Sequence, residues 1–131
     1  VQLGDTGNIT TSAQLWKVGE NIPETPSVLC KNGLVYMIKN GGIVTCVNAK
    51  TGEIQYTERL GAAGGYFSSP LYANGNIYTA AYNGVITVFK EGSKLEIISR
   101  NDLDEKNLAS PVALEDKLYV RTEKHLFAFG K

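Results

Sequence analysis

Short apolar stretches alternate with turn-forming residues along almost the whole chain. Residues 34–38 (LVYMI) and 43–47 (IVTCV) are continuous apolar runs of strand length, and residues 53–58 (EIQYTE) alternate apolar with polar side chains. A continuous run is typical of a strand that is covered on both faces, whereas alternation is typical of a strand with one solvated face. Apolar positions do not recur at helical spacing. The pattern therefore predicts an all-β protein.

One sixteen-residue pattern occurs three times without a gap, at residues 27–42, 69–84 and 110–125. Each copy begins with a serine and carries a tyrosine in its second apolar run: Ser27, Ser69 and Ser110, then Tyr36, Tyr78 and Tyr119. The copies are offset by 42 and 41 residues (69 − 27 and 110 − 69). A repeat of about forty residues that contains four short strands is typical of a β-propeller blade.

The repeat predicts a single segment, residues 1–131, of about three four-stranded antiparallel blades. The predicted elements are an outer strand at residues 12–18 and blades at residues 26–58, 68–99 and 109–129. The third unit is one strand short, so we expect the N-terminal strand to supply the missing fourth strand of the last blade. Closure of this kind removes exposed sheet edges. Propellers typically have about four to eight blades, so three blades predict a partial propeller or a ring completed by several chains.

Charge and composition argue against two classes of partner. Thirteen basic residues balance thirteen acidic ones, so no overall field attracts the chain to nucleic acid. No apolar run approaches the roughly 18 residues of a membrane helix, and we expect no membrane span. The chain has no signal peptide and does not begin with Met, which predicts that any export signal has already been removed.

The two cysteines, Cys30 and Cys46, fall on the first and third predicted strands of one blade. Two strand spacings amount to about 9 to 10 Å, which is beyond the reach of a disulfide. No histidine or second cysteine lies at the spacing of a metal site. We therefore expect two free and largely buried thiols.

Residues 47–56, VNAKTGEIQY, resemble the x-D-A-x-T-G-E-x-x-W signature of the PQQ-like propeller repeat, with Asn48 in place of Asp and Tyr56 in place of Trp. Residues 69–78 are similar to the opening strands of the same repeat. The resemblance extends over nearly all of residues 12–129 and implies quinoprotein-type propeller blades. Residues 91–98 lack both the Thr-Gly turn and the aromatic residue, which predicts a weaker or different contact between blades at that point.

The resemblance also bears on function. Enzyme members of the family bind pyrroloquinoline quinone and calcium on the ring axis and oxidise alcohols or sugars. This sequence has no adjacent cysteine pair and no carboxylate in its repeated core strands, and is more similar to the non-enzymatic, BamB-like branch. That branch implies a periplasmic or extracellular module for protein–protein interaction or scaffolding, without catalysis, cofactor or metal. A fragment of a PQQ-dependent dehydrogenase and a polysaccharide-binding or sensor propeller are the alternatives.

The candidate binding residues are those expected on one face of the propeller, where the long loops between blades meet the turns between second and third strands. They are Tyr66, Phe67, Tyr82, Arg121 and His125, the last aligned with a turn glycine in the other two copies. Aromatic and arginine residues on loops are favoured at binding hot spots. Packing of Tyr66 and Phe67 over a blade edge is the alternative. The expected partner is a protein, and self-association that completes the ring is a second expectation.

Overall fold

The computed structural model describes residue 4 and residues 6–130. These residues form eleven β-strands in three antiparallel sheets and contain no helix. The prediction of all-β propeller blades is confirmed. The predicted segment 1–131 includes residues 1–3, 5 and 131, which lie outside the described part of the chain.

Each sheet is a meander in which consecutive strands pair. The first sheet contains β1 (Leu29–Lys31), β2 (Leu34–Lys39), β3 (Ile43–Asn48) and β4 (Ile54–Arg59). The second contains β5 (Leu71–Ala73), β6 (Asn76–Ala80), β7 (Val85–Lys90) and β8 (Ile97–Asp102). The third contains β9 (Val112–Leu114), β10 (Lys117–Arg121) and β11 (Leu126–Phe129). First strands of neighbouring sheets contact each other, β1 with β5 and β5 with β9.

The first hairpin of each sheet turns through a residue in the left-handed region. These residues are Asn32 (φ 47°), Asn74 (φ 49°) and Glu115 (φ 55°). Asparagine tolerates this conformation better than most residues, and the glycine that follows it in the first two sheets also has a positive φ. The Asn-Gly pairs at residues 32–33 and 74–75 therefore form the turns of these two hairpins.

The first two sheets repeat each other down to an irregularity in strand pairing. The register shifts between Cys46 and Val47 on β3, and between Val88 and Phe89 on β7. Beside the shift, Cys46 pairs with Tyr56 in the first sheet, whereas Val88 pairs with Ser99 in the second. A serine therefore occupies the position of a buried tyrosine.

This difference changes the packing between sheets. The larger core cluster lies between the first and second sheets and contains Tyr36, Cys46, Tyr56 and Phe89. The cluster between the second and third sheets is smaller, and beside it a groove of about 400 Å³ is lined by Tyr78, Val88, Ser99, Leu118 and Phe129 among others. The weaker contact predicted from the lost aromatic is present at this interface.

The predicted strand at residues 12–18 is not formed in the structure. Trp16 instead packs against the β3–β4 turn of the first sheet, where its indole Nε1–H donates to the Ala49 carbonyl at 2.9 Å and its ring lies against Gly52. The third sheet has three strands, and its strands do not contact the first sheet. The predicted partner, β11, is an edge strand of the third sheet. Because Trp16 packs on the first sheet and the third sheet does not contact the first, residues 12–18 do not complete the last blade.

The two thiols differ in exposure. Both cysteines are free, as expected, but Cys30 is exposed and only Cys46 is buried. Leu29 pairs with the buried Tyr36, so Cys30, one residue further along β1, lies on the opposite face of the sheet. The expectation of two buried thiols is wrong for Cys30 because that face is not covered at β1. Burial raises the pKa of the Cys46 thiol to about 11.

Candidate interaction surface on the loop face

Two loops between sheets, residues 60–70 and 103–111, lie against the tips of the β6–β7 and β10–β11 hairpins. The backbone N–H of Tyr82 donates to Gly65 O at 2.8 Å, and that of Glu123 donates to Lys106 O at 2.9 Å. Both partners of the second bond lie 41 residues after those of the first (123 − 82 and 106 − 65), so the repeat makes the same bond twice. We call the surface formed by these two loops and two hairpin tips the loop face.

Asn107 joins the hairpins of the second and third sheets. Its backbone N–H donates to Tyr82 O at 2.9 Å, and its side-chain Nδ2 donates to Arg121 O at 2.8 Å. The residue is 1% exposed. Since buried side-chain hydrogen bonds restrict the groups they hold, Asn107 fixes the separation between Tyr82 and Arg121.

Tyr66 is buried and does not lie on the exposed part of the loop face. Its side chain is 1% exposed, its hydroxyl donates to Ala62 O at 2.9 Å, and burial raises its pKa to about 12. Its backbone N–H donates to Asn40 Oδ1 at 2.6 Å. The burial of Tyr66 agrees with the alternative that this residue packs inside the protein. Its bond to Asn40 holds the loop of residues 60–70 onto the first sheet.

Phe67, the next residue, is exposed and contacts Tyr82. The two ring centroids lie 5.6 Å apart with the planes at 81°, an edge-to-face arrangement. The ammonium of Lys106 lies 5.7 Å from the centroid of the Tyr82 ring, within the range of a cation–π interaction. An aromatic pair and a cation thus share one part of the loop face.

Arg121 joins the same group of residues at a small cavity. The cavity has a volume of about 90 Å³ and is lined by Tyr82, Lys106, Leu108, Arg121, Thr122 and Glu123. Leu108 is 59% exposed at its edge. Lys106 and Leu108 were not among the sequence candidates. Their signal is the sequence Lys-Asn-Leu within an otherwise acidic loop, where Asn107 turns inward and its two neighbours face outward.

His125 lies beside this cavity but does not line it. Its Nδ1 is 2.6 Å from Glu105 Oε1, and its backbone N–H donates to Thr122 Oγ1 at 3.1 Å. The hydroxyl of Thr122 donates to Glu105 Oε2 at 2.5 Å. The Thr122 hydrogen bond, followed by the contact with His125, lowers the pKa of Glu105.

The pairing of β10 with β11 also corrects the alignment of His125. Thr122 N–H donates to His125 O, whereas the equivalent bond in the second sheet runs from Ala81 N–H to Val85 O. The third hairpin loop is therefore one residue shorter, and His125 occupies the position of Val85 rather than that of the turn glycine Gly84.

The described residues contain no group of three histidine, cysteine or acidic side chains placed to hold a metal ion. In the same part of the chain there is no helix long and apolar enough to cross a membrane.

Consecutive antiparallel meanders, two of four strands and one of three, whose loops and hairpin tips share one face define a segment of a β-propeller. A family model described as outer membrane protein assembly factor BamB matches residues 7–95. The chain therefore belongs to the BamB family of PQQ-like propellers. No curated protein matches the chain in sequence.

Solved structures share the fold at low sequence identity. BamB from Moraxella catarrhalis is 17% identical with a TM-score of 0.62, and the match covers 78% of this chain and 30% of the BamB chain. The quinohemoprotein alcohol dehydrogenase ADHIIG from Pseudomonas putida HK5 is 11% identical with a TM-score of 0.69, and the match covers 88% of this chain and 20% of the dehydrogenase. The computationally designed Ika8 protein is 10% identical with a TM-score of 0.65, and the match covers 79% of this chain and 32% of Ika8. This chain spans less than a third of each.

Proposed function

We propose that the chain is a non-catalytic, exported propeller module that binds a protein partner through its loop face. The observation that carries this proposal is the group formed on the loop face by the exposed Phe67, Leu108 and Arg121 around the half-buried Tyr82. Aromatic and arginine side chains surrounded by a polar rim are the usual composition of a protein-binding hot spot. Membership of the BamB family, described as an outer membrane protein assembly factor, supports a protein partner and a periplasmic or extracellular location.

Site-specific photo-crosslinking in the source organism tests this proposal. A benzophenone amino acid is placed at Phe67 or at Leu108, and in a control protein at Ile54, which is 52% exposed on β4. We expect the same discrete protein adduct from both loop-face positions and none from the control. Absence of an adduct at both loop-face positions, or the same adducts from all three positions, would contradict binding through this face.

The exposed face of the third sheet supports self-association as a second mode of interaction. Val112, Leu114 and Leu126 are 56%, 62% and 69% exposed, and their strand pairing places them on one face of the sheet. Exposed apolar side chains that share one face favour association. Light scattering of the 131-residue chain should give the mass of a dimer, and a monomer that persists at high protein concentration would exclude this mode.

The two alternatives differ from the main proposal in their ligands. A dehydrogenase fragment should bind pyrroloquinoline quinone in the presence of calcium, and a polysaccharide sensor should respond to sugars. Intrinsic fluorescence can test both ligands, because it arises from Trp16, the only tryptophan, and from the tyrosines, which include Tyr82 on the loop face. A saturable change with quinone and calcium, or with an oligosaccharide, would favour the corresponding alternative.

A further inference from the structure

We infer that the groove between the second and third sheets binds an aromatic side chain of a partner protein, in the space that Tyr56 fills between the first and second sheets. This site is separate from the loop face, and the inference goes beyond the proposed function. It depends on the equivalence of the two interfaces, on the replacement of the tyrosine by Ser99 and on the opening of the groove to the surface.

One wall of the groove repeats the part of the first sheet that carries Tyr56. Val88 and Ser99 line the groove and pair with each other, as Cys46 and Tyr56 do in the first sheet. Cys46 and Tyr56 belong to the larger core cluster, where Tyr56 is 8% exposed. The first sheet therefore supplies an aromatic ring at this position, whereas the second sheet supplies only the short side chain of a serine.

The opposite wall repeats the part of the second sheet that packs in the same cluster as the Tyr56 ring. Leu118 and Phe129 line the groove and pair with each other, as Ile77 and Phe89 do in the second sheet. Ile77 and Phe89 belong to the larger core cluster together with Tyr56. An aromatic ring between the two walls of the groove would therefore meet side chains of the same kind as those around Tyr56.

The size and polarity of the groove suit a neutral ring. Its volume is about 400 Å³, and an apolar cavity of roughly 150 Å³ is sufficient to bind benzene. None of the described side chains that line it carries a charge, and the Ser99 hydroxyl already accepts a hydrogen bond from Asn101 Nδ2 at 3.1 Å. Burial of a ring there removes apolar surface of both the ring and the walls from water, which favours binding.

The groove is open, so a ring can enter it while attached to a polypeptide. In the second sheet, Ile97 of β8 pairs with Phe89 and packs against the larger core cluster. In the third sheet β11 is an edge strand, and Phe129 is 43% exposed. The backbone of an edge strand can form hydrogen bonds with an extended segment of another chain. These features favour a protein side chain over a free aromatic molecule.

Peptide selection with a blocked variant tests the inference. Ser99→Tyr fills the groove with a ring from β8 itself. Displayed random peptides that bind Ser99→Tyr are discarded first, and the remaining peptides are selected on the unmodified 131-residue chain. We expect the selected peptides to contain Tyr, Phe or Trp. Replacement of that residue by Ala should weaken binding at least about tenfold, since a buried aromatic side chain contributes strongly to affinity.

The chain offers a matched control for the blocked variant. Ser93 is an exposed serine between β7 and β8 and does not line the groove, so Ser93→Tyr should bind the selected peptides as the unmodified chain does. Leu118→Trp fills the groove from the third sheet, and it replaces Ser99→Tyr if that variant does not fold, judged by circular dichroism. Selected peptides without an aromatic residue, or full binding of them by Leu118→Trp, would overturn the inference.

A small probe separates a protein ligand from a free aromatic compound. Para-cresol, which is the tyrosine side chain without its backbone, should displace the selected peptides from the unmodified chain. Saturable binding of para-cresol that is lost in Ser99→Tyr, without any selected peptide, would contradict a protein side chain as the ligand. Crosslinked adducts at Phe67 and Leu108 should form equally in Ser99→Tyr, so the proposed function is tested independently of this site.

Discussion

The side-chain oxygen of Ser69 accepts a hydrogen bond from the backbone N–H of Ser27 at 2.9 Å. The same bond recurs one repeat later, where Ser110 Oγ accepts from Ser69 N–H at 2.8 Å. The serines that begin the second and third copies of the repeat therefore link their sheets to the preceding ones, next to the contacts of β1 with β5 and of β5 with β9.

Replacing the three serines tests whether these hydrogen bonds stabilise the fold, because two of the hydroxyls accept a bond and the third does not. Ser69→Ala and Ser110→Ala each remove an acceptor, and we expect each to lower the free energy of unfolding by about 1 kcal/mol. Ser27 Oγ accepts no hydrogen bond from the described residues, so Ser27→Ala is the matched control with little effect. Urea denaturation measures all three, and equal losses in the three variants would show that the links do not contribute.

A second prediction concerns the contact between Trp16 and Gly52. A Cβ at Gly52 would lie 2.7 Å from Trp16 Cγ, so Gly52→Ala must displace the indole ring. Gly75 has a similar φ of 79°, compared with 74° at Gly52, but a Cβ there meets nothing within 4 Å. Gly75→Ala should therefore cost only the backbone strain of a left-handed alanine, about 1 to 2 kcal/mol.

Tryptophan fluorescence distinguishes the two glycine variants. The emission of Trp16 should shift to longer wavelength in Gly52→Ala, because the ring becomes more exposed to water, and should stay unchanged in Gly75→Ala. Gly52→Ala should also lose about 1 to 3 kcal/mol more stability than the control. An unshifted spectrum in Gly52→Ala would mean that the ring does not pack against this turn.

The two buried tyrosines of the first sheet should respond oppositely to loss of their hydroxyls. The hydroxyl of Tyr36 accepts from Gly92 N–H at 2.8 Å, whereas the buried hydroxyl of Tyr56 has no hydrogen-bond partner among the described residues. Burial raises the pKa of Tyr36 to about 12 and also raises the pKa of Tyr56. Both hydroxyls are therefore protonated at neutral pH.

We expect Tyr36→Phe to lower the free energy of unfolding by about 1 to 2 kcal/mol, because it leaves the Gly92 N–H without an acceptor. Tyr56→Phe removes an unpaired polar atom and should be neutral or stabilising. Thermal or urea unfolding of the two variants provides the comparison. A larger loss in Tyr56→Phe than in Tyr36→Phe would contradict the hydrogen-bond assignment.

Stability at acid pH should depend on the bond between Thr122 and Glu105. The pKa of Glu105 is lowered from its ordinary value of 4.5, mainly by the Thr122 hydroxyl. The Glu105 carboxylate therefore contributes to stability above pH 4.5, and this contribution is lost as the pH falls through the lower pKa that the group has in the folded state. In Thr122→Val this acid-dependent loss should be smaller, measured by urea unfolding from about pH 6 to about pH 3.

A buried threonine without a carboxylate partner is the control for that experiment. Thr45 is 1% exposed, and its hydroxyl lies 3.3 Å from that of Thr57. Thr45→Val should change stability by the same amount at each pH. The prediction fails if Thr122→Val retains the full acid-dependent loss of the unmodified chain.

The repeat itself was sufficient to predict the blades. Strand pairing within a meander is local, so the spacing of apolar runs and Asn-Gly turns defines the hairpins, as it does at Asn32 and Asn74. The missing aromatic in the second unit likewise predicted the looser interface beside Ser99. The hairpins follow from the order of residues because their partners lie within one repeat. The looser interface follows because one position of the repeat holds a tyrosine in the first unit and a serine in the second.

Tertiary structure decided the features that depend on residues far apart in the chain. Tyr66 and Phe67 are adjacent in a loop, where the alternation of apolar and polar residues that marks the faces of a strand does not apply. The sequence therefore does not indicate that Tyr66 is buried and Phe67 exposed. Lys106 and Leu108 join Tyr82 and Arg121 only because Asn107 bonds to two hairpins at once. Residues 12–18 have the composition of a strand, but a strand forms only when it pairs with a neighbour, and in the described part of the chain these residues pair with none.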